Sequence, residues 1–232
     1  MTMSIREVCA TNRAELTVKL ADEIEHQLQE AVNKRGYASI VVSGGNTPRP
    51  LFELLSHRRL PWQQITVTLA DERWVDTLSA DSNELMLRET LLCNEAAKAQ
   101  FIPLKNSAPT AVEGQAECQV ALSRIVGPFD LIILGMGDDG HTASLFPKVS
   151  GAALDIDNSD LCVAIQPANA PHERMSLSAS AILNSHKILL HIVGDSKWRV
   201  YQAANSSGSI DEMPVRVVLH QPNVPVDVYW SP

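Results

Sequence analysis

The chain has 232 residues, 45 % of them apolar and 20 % charged, with a formal net charge of −8. That length suits one large α/β domain, here 1–232, and the composition is ordinary for a soluble globular enzyme. The negative balance argues against nucleic acid or an anionic membrane as the main partner, while a few local cations can still hold a small anion. Residues 13–35 read as an amphipathic helix, because Leu16, Leu20, Ile24, Leu28 and Val32 fall at four-residue intervals. Asn12 with Glu15 makes a box-like start and Gly36 a stop. A strand is predicted at Ala38–Ser43, then glycines and a helix over about 49–57. The pattern repeats with strand Ile65–Ala70, a helix near 82–93, a short strand near Phe101–Pro103, a helix near 111–125 and strand Leu131–Leu134. Next come strand Leu161–Ile165, a helix near 178–184, strand Lys187–Val193, a helix near 196–205 and a closing strand Val226–Trp230.

Strands that alternate with helices, and that are apolar on both faces, imply a mainly parallel sheet between helical layers. The stretches 148–160 and 205–214 read as surface loops. The start, MTMSIREVCATN, has no apolar signal core, and no apolar run approaches the roughly 18 residues that span a bilayer. Cys9, Cys93, Cys118 and Cys162 are far apart with no CxxC pair, and Cys162 in LCVAI reads as core packing. A reduced, cytoplasmic protein is expected. Nothing in the sequence sets an oligomeric state.

The most informative segment is LIILGMGDDGHTASLFP, Leu131 to Pro147. A buried strand runs into a loop with Gly135, Gly137 and Gly140, which delivers Asp138, Asp139 and His141. This is how α/β enzymes present chemistry at the carboxyl ends of their strands. Thr142-Ala143-Ser144 is placed to start a helix. A histidine exchanges protons near neutral pH, and Asp139, two residues earlier, can bond the imidazole and fix its tautomer. A structural loop histidine is the alternative. The segment literally matches GxGxxG, but two carboxylates inside the turn would repel a pyrophosphate, and the match lies more than half way along the chain. A dinucleotide site is rejected.

Three further groups stand at predicted strand ends. Ser43-Gly44-Gly45-Asn46-Thr47-Pro48 joins a strand to a helix; its amides can approach a phosphate or sugar hydroxyls, and a tight turn would use the same glycines. In Leu69-Ala70-Asp71-Glu72-Arg73-Trp74-Val75, Arg73 offers a planar fork for phosphate or carboxylate. Asp71 and Glu72 can orient that fork or hold sugar hydroxyls, and a solvated turn with a local ion pair is the alternative. Arg174 and Lys197 are cations bordering strands that should end near one sheet edge. His172-Glu173 is too isolated for a metal site, HExxH and clustered Cys/His are absent, and so is GxSxG.

In order, SGGNTP, ADERWV, Ser82-Asn83, GMGDDGHTASLFP, PHERMSLS and GDSKW resemble the motif series of the 6-phosphogluconolactonase family, within the wider group that contains glucosamine-6-phosphate deaminase. The resemblance runs from about residue 38 to 200. It implies a Rossmann-like three-layer α/β/α domain that hydrolyses 6-phospho-D-glucono-1,5-lactone, the second step of the oxidative pentose phosphate pathway, with no cofactor and no metal. It implies that His141 is the general base, helped by Asp139, and that Arg73 with Lys197 anchors the phosphate. Gly44, Gly45, Asn46, Thr47, Asp71 and Arg174 complete the expected substrate site, and amides of the glycine loops are candidates for the oxyanion. Lys148 and Asp76 depart from the family's usual glycine and proline, outside the proposed chemistry. The deaminase branch typically carries a glutamate after the histidine, and Thr142 to Pro147 has no carboxylate. A non-catalytic sugar-phosphate sensor is a further alternative, disfavoured because binding alone needs no titrating base.

Overall fold

A computed structural model describes residues 5–148, 153–168 and 170–232. Helix α1 (Arg13–Arg35) buries Leu16, Leu20, Ile24 and Leu28 completely. Burial of each such side chain contributes about 1.5–3 kcal/mol. Asn12 Oδ1 accepts the Glu15 amide at 2.9 Å, and Glu15 reaches back to the Thr11 amide at 2.8 Å. At the other end Gly36 turns left-handed at φ 82° and donates to Val32 O at 2.7 Å. The predicted start and stop are both present.

Strand β1 (Arg6–Cys9) precedes that helix, and β2 (Ala38–Val42) follows it. The remaining main strands are β3 (Ile65–Leu69), β5 (Gln100–Ile102), β6 (Leu131–Leu134), β9 (Ile188–Val193) and β10 (Val226–Ser231). They form a seven-stranded sheet in the order β1-β10-β9-β6-β2-β3-β5, with every neighbouring pair parallel. Every residue of β2 and β6 is buried, as a sheet covered on both faces requires. The covering helices are α1, α2 (Arg49–Ser56), α3 (Asn83–Thr90), α4 (Ala111–Leu122), α5 (Ala179–Leu183), α6 (Asp195–Asn205) and α7 (Arg216–Leu219). The architecture is the Rossmann-like three-layer α/β/α sandwich.

One predicted strand sits elsewhere. The segment expected at Leu161–Ile165 is β7 (Cys162–Ile165), and it joins a separate three-stranded antiparallel sheet, β4-β8-β7. Its partners β4 (Asp71–Arg73) and β8 (Arg174–Leu177) are not among the predicted strands: DER has no apolar residue, and the alternation in RMSL is only four residues long. Pairing partners made them strands, which is the usual reason β-propensity misleads. Ala70 is the joint: its amide donates to Val42 O and its carbonyl accepts from the Leu177 amide, both at 2.8 Å. Edge strand β1 also carries no apolar pattern and is held by β10.

The helix expected to start at Thr142-Ala143-Ser144 is absent. Thr142 Oγ1 donates to Gly135 O at 2.8 Å, Leu145 N closes a turn on Thr142 O at 2.9 Å, and Ala143 sits at φ 48°. Hydroxyl side chains compete here with helical backbone bonding. The loop expected at 148–160 lies partly outside the described residues. The one at 205–214 is mostly exposed, yet just beyond it Val215 N donates to Gly140 O at 2.9 Å and buttresses the histidine loop. Among the described residues no helix is long and apolar enough to cross a membrane.

Strand order reverses between β2 and β6. From β2 the chain moves outward through β3 and β5; from β6 it moves the other way through β9 and β10. The loops leaving these two carboxyl ends therefore diverge and open a crevice, where open α/β sheets bind ligands.

Candidate active site

A cleft of about 390 Å³ occupies that crevice. Ser43 to Pro48 line it from the end of β2, Gly135 to Gly137 and His141 from the end of β6, and Lys197 from the start of α6. The small sheet contributes Asp71, Arg73 and Arg174. Gly44, Gly45, Asn46, Thr47, Asp71, Arg73, Arg174, Lys197 and His141, all singled out from sequence, share this one cleft. Asp139 is outside its lining and reaches it through His141.

The Asp139–His141 pair is built by the loop. Asp139 Oδ1 lies 2.6 Å from His141 Nδ1 and also accepts the His141 amide at 3.1 Å. Burial would raise the Asp139 carboxyl, but those hydrogen bonds and the neighbouring imidazole outweigh it and hold it below the ordinary carboxylate value. Gly137 is required for this packing: a Cβ there would lie 2.6 Å from Asp139 Oδ1 and would overlap the imidazole. The Phe146 ring packs against the imidazole, 4.6 Å away centroid to centroid.

The acidic pair Asp71-Glu72 splits its tasks. Glu72 is buried and accepts the amides of Arg73, Asn83 and Glu84 at 2.7–2.8 Å and the Ser82 hydroxyl at 3.1 Å. It caps the amino end of α3, and burial pushes its pKa up against these bonds. The expectation that Glu72 orients the Arg73 guanidinium or holds sugar hydroxyls is therefore corrected. Arg73 Nη1 instead donates to Asp81 O at 2.6 Å. Asp71 accepts the Ser144 hydroxyl at 2.5 Å and lines the cleft. That bond also explains why Ser144 does not enter a helix.

The cations differ in how they are held. Arg174 is buried, donates to Pro171 O at 3.2 Å through Nη2, and has no hydrogen-bond partner at Nε. Burial lowers its pKa, and the charge of Arg73 lowers it further. Lys197 Nζ pairs with Asp138 Oδ1 at 2.8 Å.

Several lining residues were not singled out for the site. Asn83 appeared only within a motif; its side chain donates to Asp71 O at 2.9 Å and packs where a Cβ on Gly44 would collide. His191 lies in the cleft wall, and the only sequence signal for it is a polar residue inside the apolar run ILLHIV. Among the described residues no cluster of three or more His, Cys, Asp or Glu could hold a metal ion.

A histidine held by a carboxylate, facing arginine and lysine side chains at the switch point of a parallel sheet, defines an α/β enzyme site for a small anionic substrate. The chain belongs to the glucosamine-6-phosphate isomerase/6-phosphogluconolactonase family, whose model matches residues 11–230. It is 38 % identical to a 6-phosphogluconolactonase of Pseudomonas putida, over 94 % of this chain and 89 % of that protein. It is 37 % identical to one of Rhizobium meliloti, over 95 % of this chain and 96 % of that protein. A crystal structure of a 6-phosphogluconolactonase from Shewanella baltica superposes with a TM-score of 0.96 at 46 % identity, covering 100 % of both chains.

Proposed function

We infer that this protein hydrolyses 6-phospho-D-glucono-1,5-lactone to 6-phospho-D-gluconate, the second step of the oxidative pentose phosphate pathway. The observation that carries the reading is the 2.6 Å Asp139–His141 contact in the same cleft as Arg73, Arg174 and Lys197. With Nδ1 engaged by Asp139, Nε2 is the ring nitrogen left to take a proton from water. The water oxygen bonds to the lactone carbonyl carbon and a tetrahedral oxyanion forms, stabilised by amides of the Gly44-Gly45 and Gly135–Gly137 segments. The carbon–ring-oxygen bond then breaks, and the imidazolium returns its proton to the departing oxygen. Arg73, Arg174 and Lys197 hold the 6-phosphate; Asp71, Asn46 and Thr47 hold sugar hydroxyls. A lactone is an activated ester, so no step uses a metal or a cofactor.

The substrate is a small sugar phosphate, and neither nucleic acid nor a membrane takes part. A single domain of 1–232 acting in the cytoplasm completes the reading. The absence of a carboxylate in Thr142–Pro147 supports lactone hydrolysis over sugar-phosphate deamination. The test is hydrolysis of the freshly generated lactone against its spontaneous opening in water. Acceleration that His141→Asn abolishes is expected; ammonia release from glucosamine 6-phosphate, or binding without turnover, would replace this reading.

A further inference from the structure

His172 holds a left-handed backbone conformation that most side chains avoid, at φ 68°. It stands just before β8, where the small sheet ends. The Trp74 amide donates to Glu173 O at 2.7 Å, one step beyond the paired strands. From there the two chains part, one running back through Pro171 and Ala170, the other on through Val75 to Asp81. His172 Nε2 lies 3.1 Å from Asp81 Oδ2, so the imidazole N–H donates to that carboxylate and joins the two loops again.

Both residues are exposed, and an exposed pair of this kind contributes little to stability. That small contribution does not account for a left-handed histidine, but the neighbours do. Arg73 donates through Nη1 to Asp81 O at 2.6 Å, and Arg174 donates through Nη2 to Pro171 O at 3.2 Å. Each arginine thus grips a carbonyl at, or next to, one end of the Asp81–His172 contact. Arg73 and Arg174 are themselves opposed in the β4–β8 ladder, so the contacts close a circuit. The two arginines line the cleft, while Asp81 and His172 stand outside it. The charge of Asp81 nevertheless reaches Arg174: burial and the charge of Arg73 lower the Arg174 pKa, and Asp71, Glu72 and Asp81 act against them.

We propose that Asp81 and His172 are positioning residues for the anion subsite, their contact fixing the two carbonyls that aim the Arg73 and Arg174 guanidinium groups at the substrate phosphate. An arginine has a long, rotatable stem, and its planar fork binds an oxyanion best when it is already held in place. Opening the contact leaves both charges in the cleft but spreads them over more conformers. Binding of the phosphate then weakens, and chemistry at the lactone carbonyl is untouched. This inference rests on the cleft being the lactone site.

The experiment measures melting temperature, kcat and KM for wild type, His172→Gly, Asp81→Ala and the double variant. Substrates are the phosphorylated lactone and gluconolactone without phosphate. Glycine accepts the left-handed conformation, so His172→Gly removes the side chain and keeps the turn. Each single variant should raise KM for the phosphorylated lactone by about 3-fold or more, a usual size for coupled neighbours, with kcat and the unphosphorylated substrate unchanged. The double variant should be no worse than the worse single one, because either change opens the same contact. His172→Gln, which keeps a donor at similar reach, should recover part of the loss. Either single variant opens the contact, so one that folds is enough to decide. Wild-type KM in a folded single variant, additive losses, or equal losses on the two substrates overturn the proposal. Wild-type protein that hydrolyses neither lactone would overturn the lactone reading and this proposal with it, whereas wild-type turnover with unaffected variants removes the proposal alone.

Discussion

Arg73 and Arg174 face each other as directly opposed residues of β4 and β8, so two guanidinium-bearing side chains share one rung of an antiparallel ladder. Like charges in that relation destabilise a sheet, and Arg174 adds a buried Nε without a partner. The arrangement makes sense for a cleft whose ligand brings the missing negative charge.

Arg174→Met should therefore leave the melting temperature of the free protein unchanged or raise it, while weakening the phosphorylated lactone. Loss of a charge-assisted hydrogen bond costs about 1.5–3 kcal/mol, roughly 10-fold to 150-fold in KM. Arg73→Ala should show the same substrate effect. Gluconolactone without phosphate is the control, and neither variant should alter its slow hydrolysis. Equal loss on both substrates would mean that the pair supports the fold or the chemistry.

His141→Asn should lower turnover by roughly 10²–10⁴-fold, the usual contribution of a positioned base. Asp139→Asn should lower kcat and leave KM nearly unchanged, because Asp139 acts through the imidazole and stands outside the cleft lining. A rise in KM alone would assign Asp139 to substrate binding.

On the proposed phosphate-holding role of Lys197, Asp138 competes with the substrate for its ammonium. Its carboxylate lies 2.8 Å from Nζ but is mostly exposed, so the pair is worth about 0.2–1 kcal/mol. Asp138→Asn should free the ammonium and lower KM by up to about 5-fold at low salt, with the gain fading as salt rises. An unchanged KM would show that Lys197 does not have to leave Asp138 to bind phosphate.

A second charged cluster lies at the amino ends of the strands, away from the cleft. Lys187 Nζ pairs with Asp227 Oδ2 at 2.8 Å and Glu23 Oε1 at 2.5 Å, and Arg6 also bonds Asp227. Burial would raise both carboxyls, yet the Arg6 and Lys187 partners pull Asp227 below 3.8 and Lys187 chiefly pulls Glu23 below 4.5. Lowered folded-state values stabilise the protein above the ordinary carboxylate range. That contribution disappears as pH falls through the folded-state values beneath it. Asp227→Asn should lower the melting temperature at pH 7 by on the order of 5 °C. The difference from wild type should shrink below pH 4, and a constant difference across pH would rule out this linkage.

The features legible from the chain itself are those written in short-range spacing. Four-residue apolar intervals placed α1, Asn12 and Gly36 marked its ends, and continuous apolar runs placed β2, β6 and β9 in a covered parallel sheet. The order strand, glycine loop, Asp139, His141 announced the carboxylate–imidazole contact, because loop and side chains are neighbours in sequence. Tertiary structure alone decided what depends on distant partners. Asp71-Glu72-Arg73 became a strand only because Arg174-Met175-Ser176 lies beside it, and that pairing set the two arginines face to face. Ser144 left the predicted helix for Asp71, Glu72 went to the amino end of α3, and Lys197 found Asp138. Hydrogen bonds and charges act over a few ångströms of space whatever the separation along the chain, so periodicity can announce an element but not the partner that gives its side chains their work.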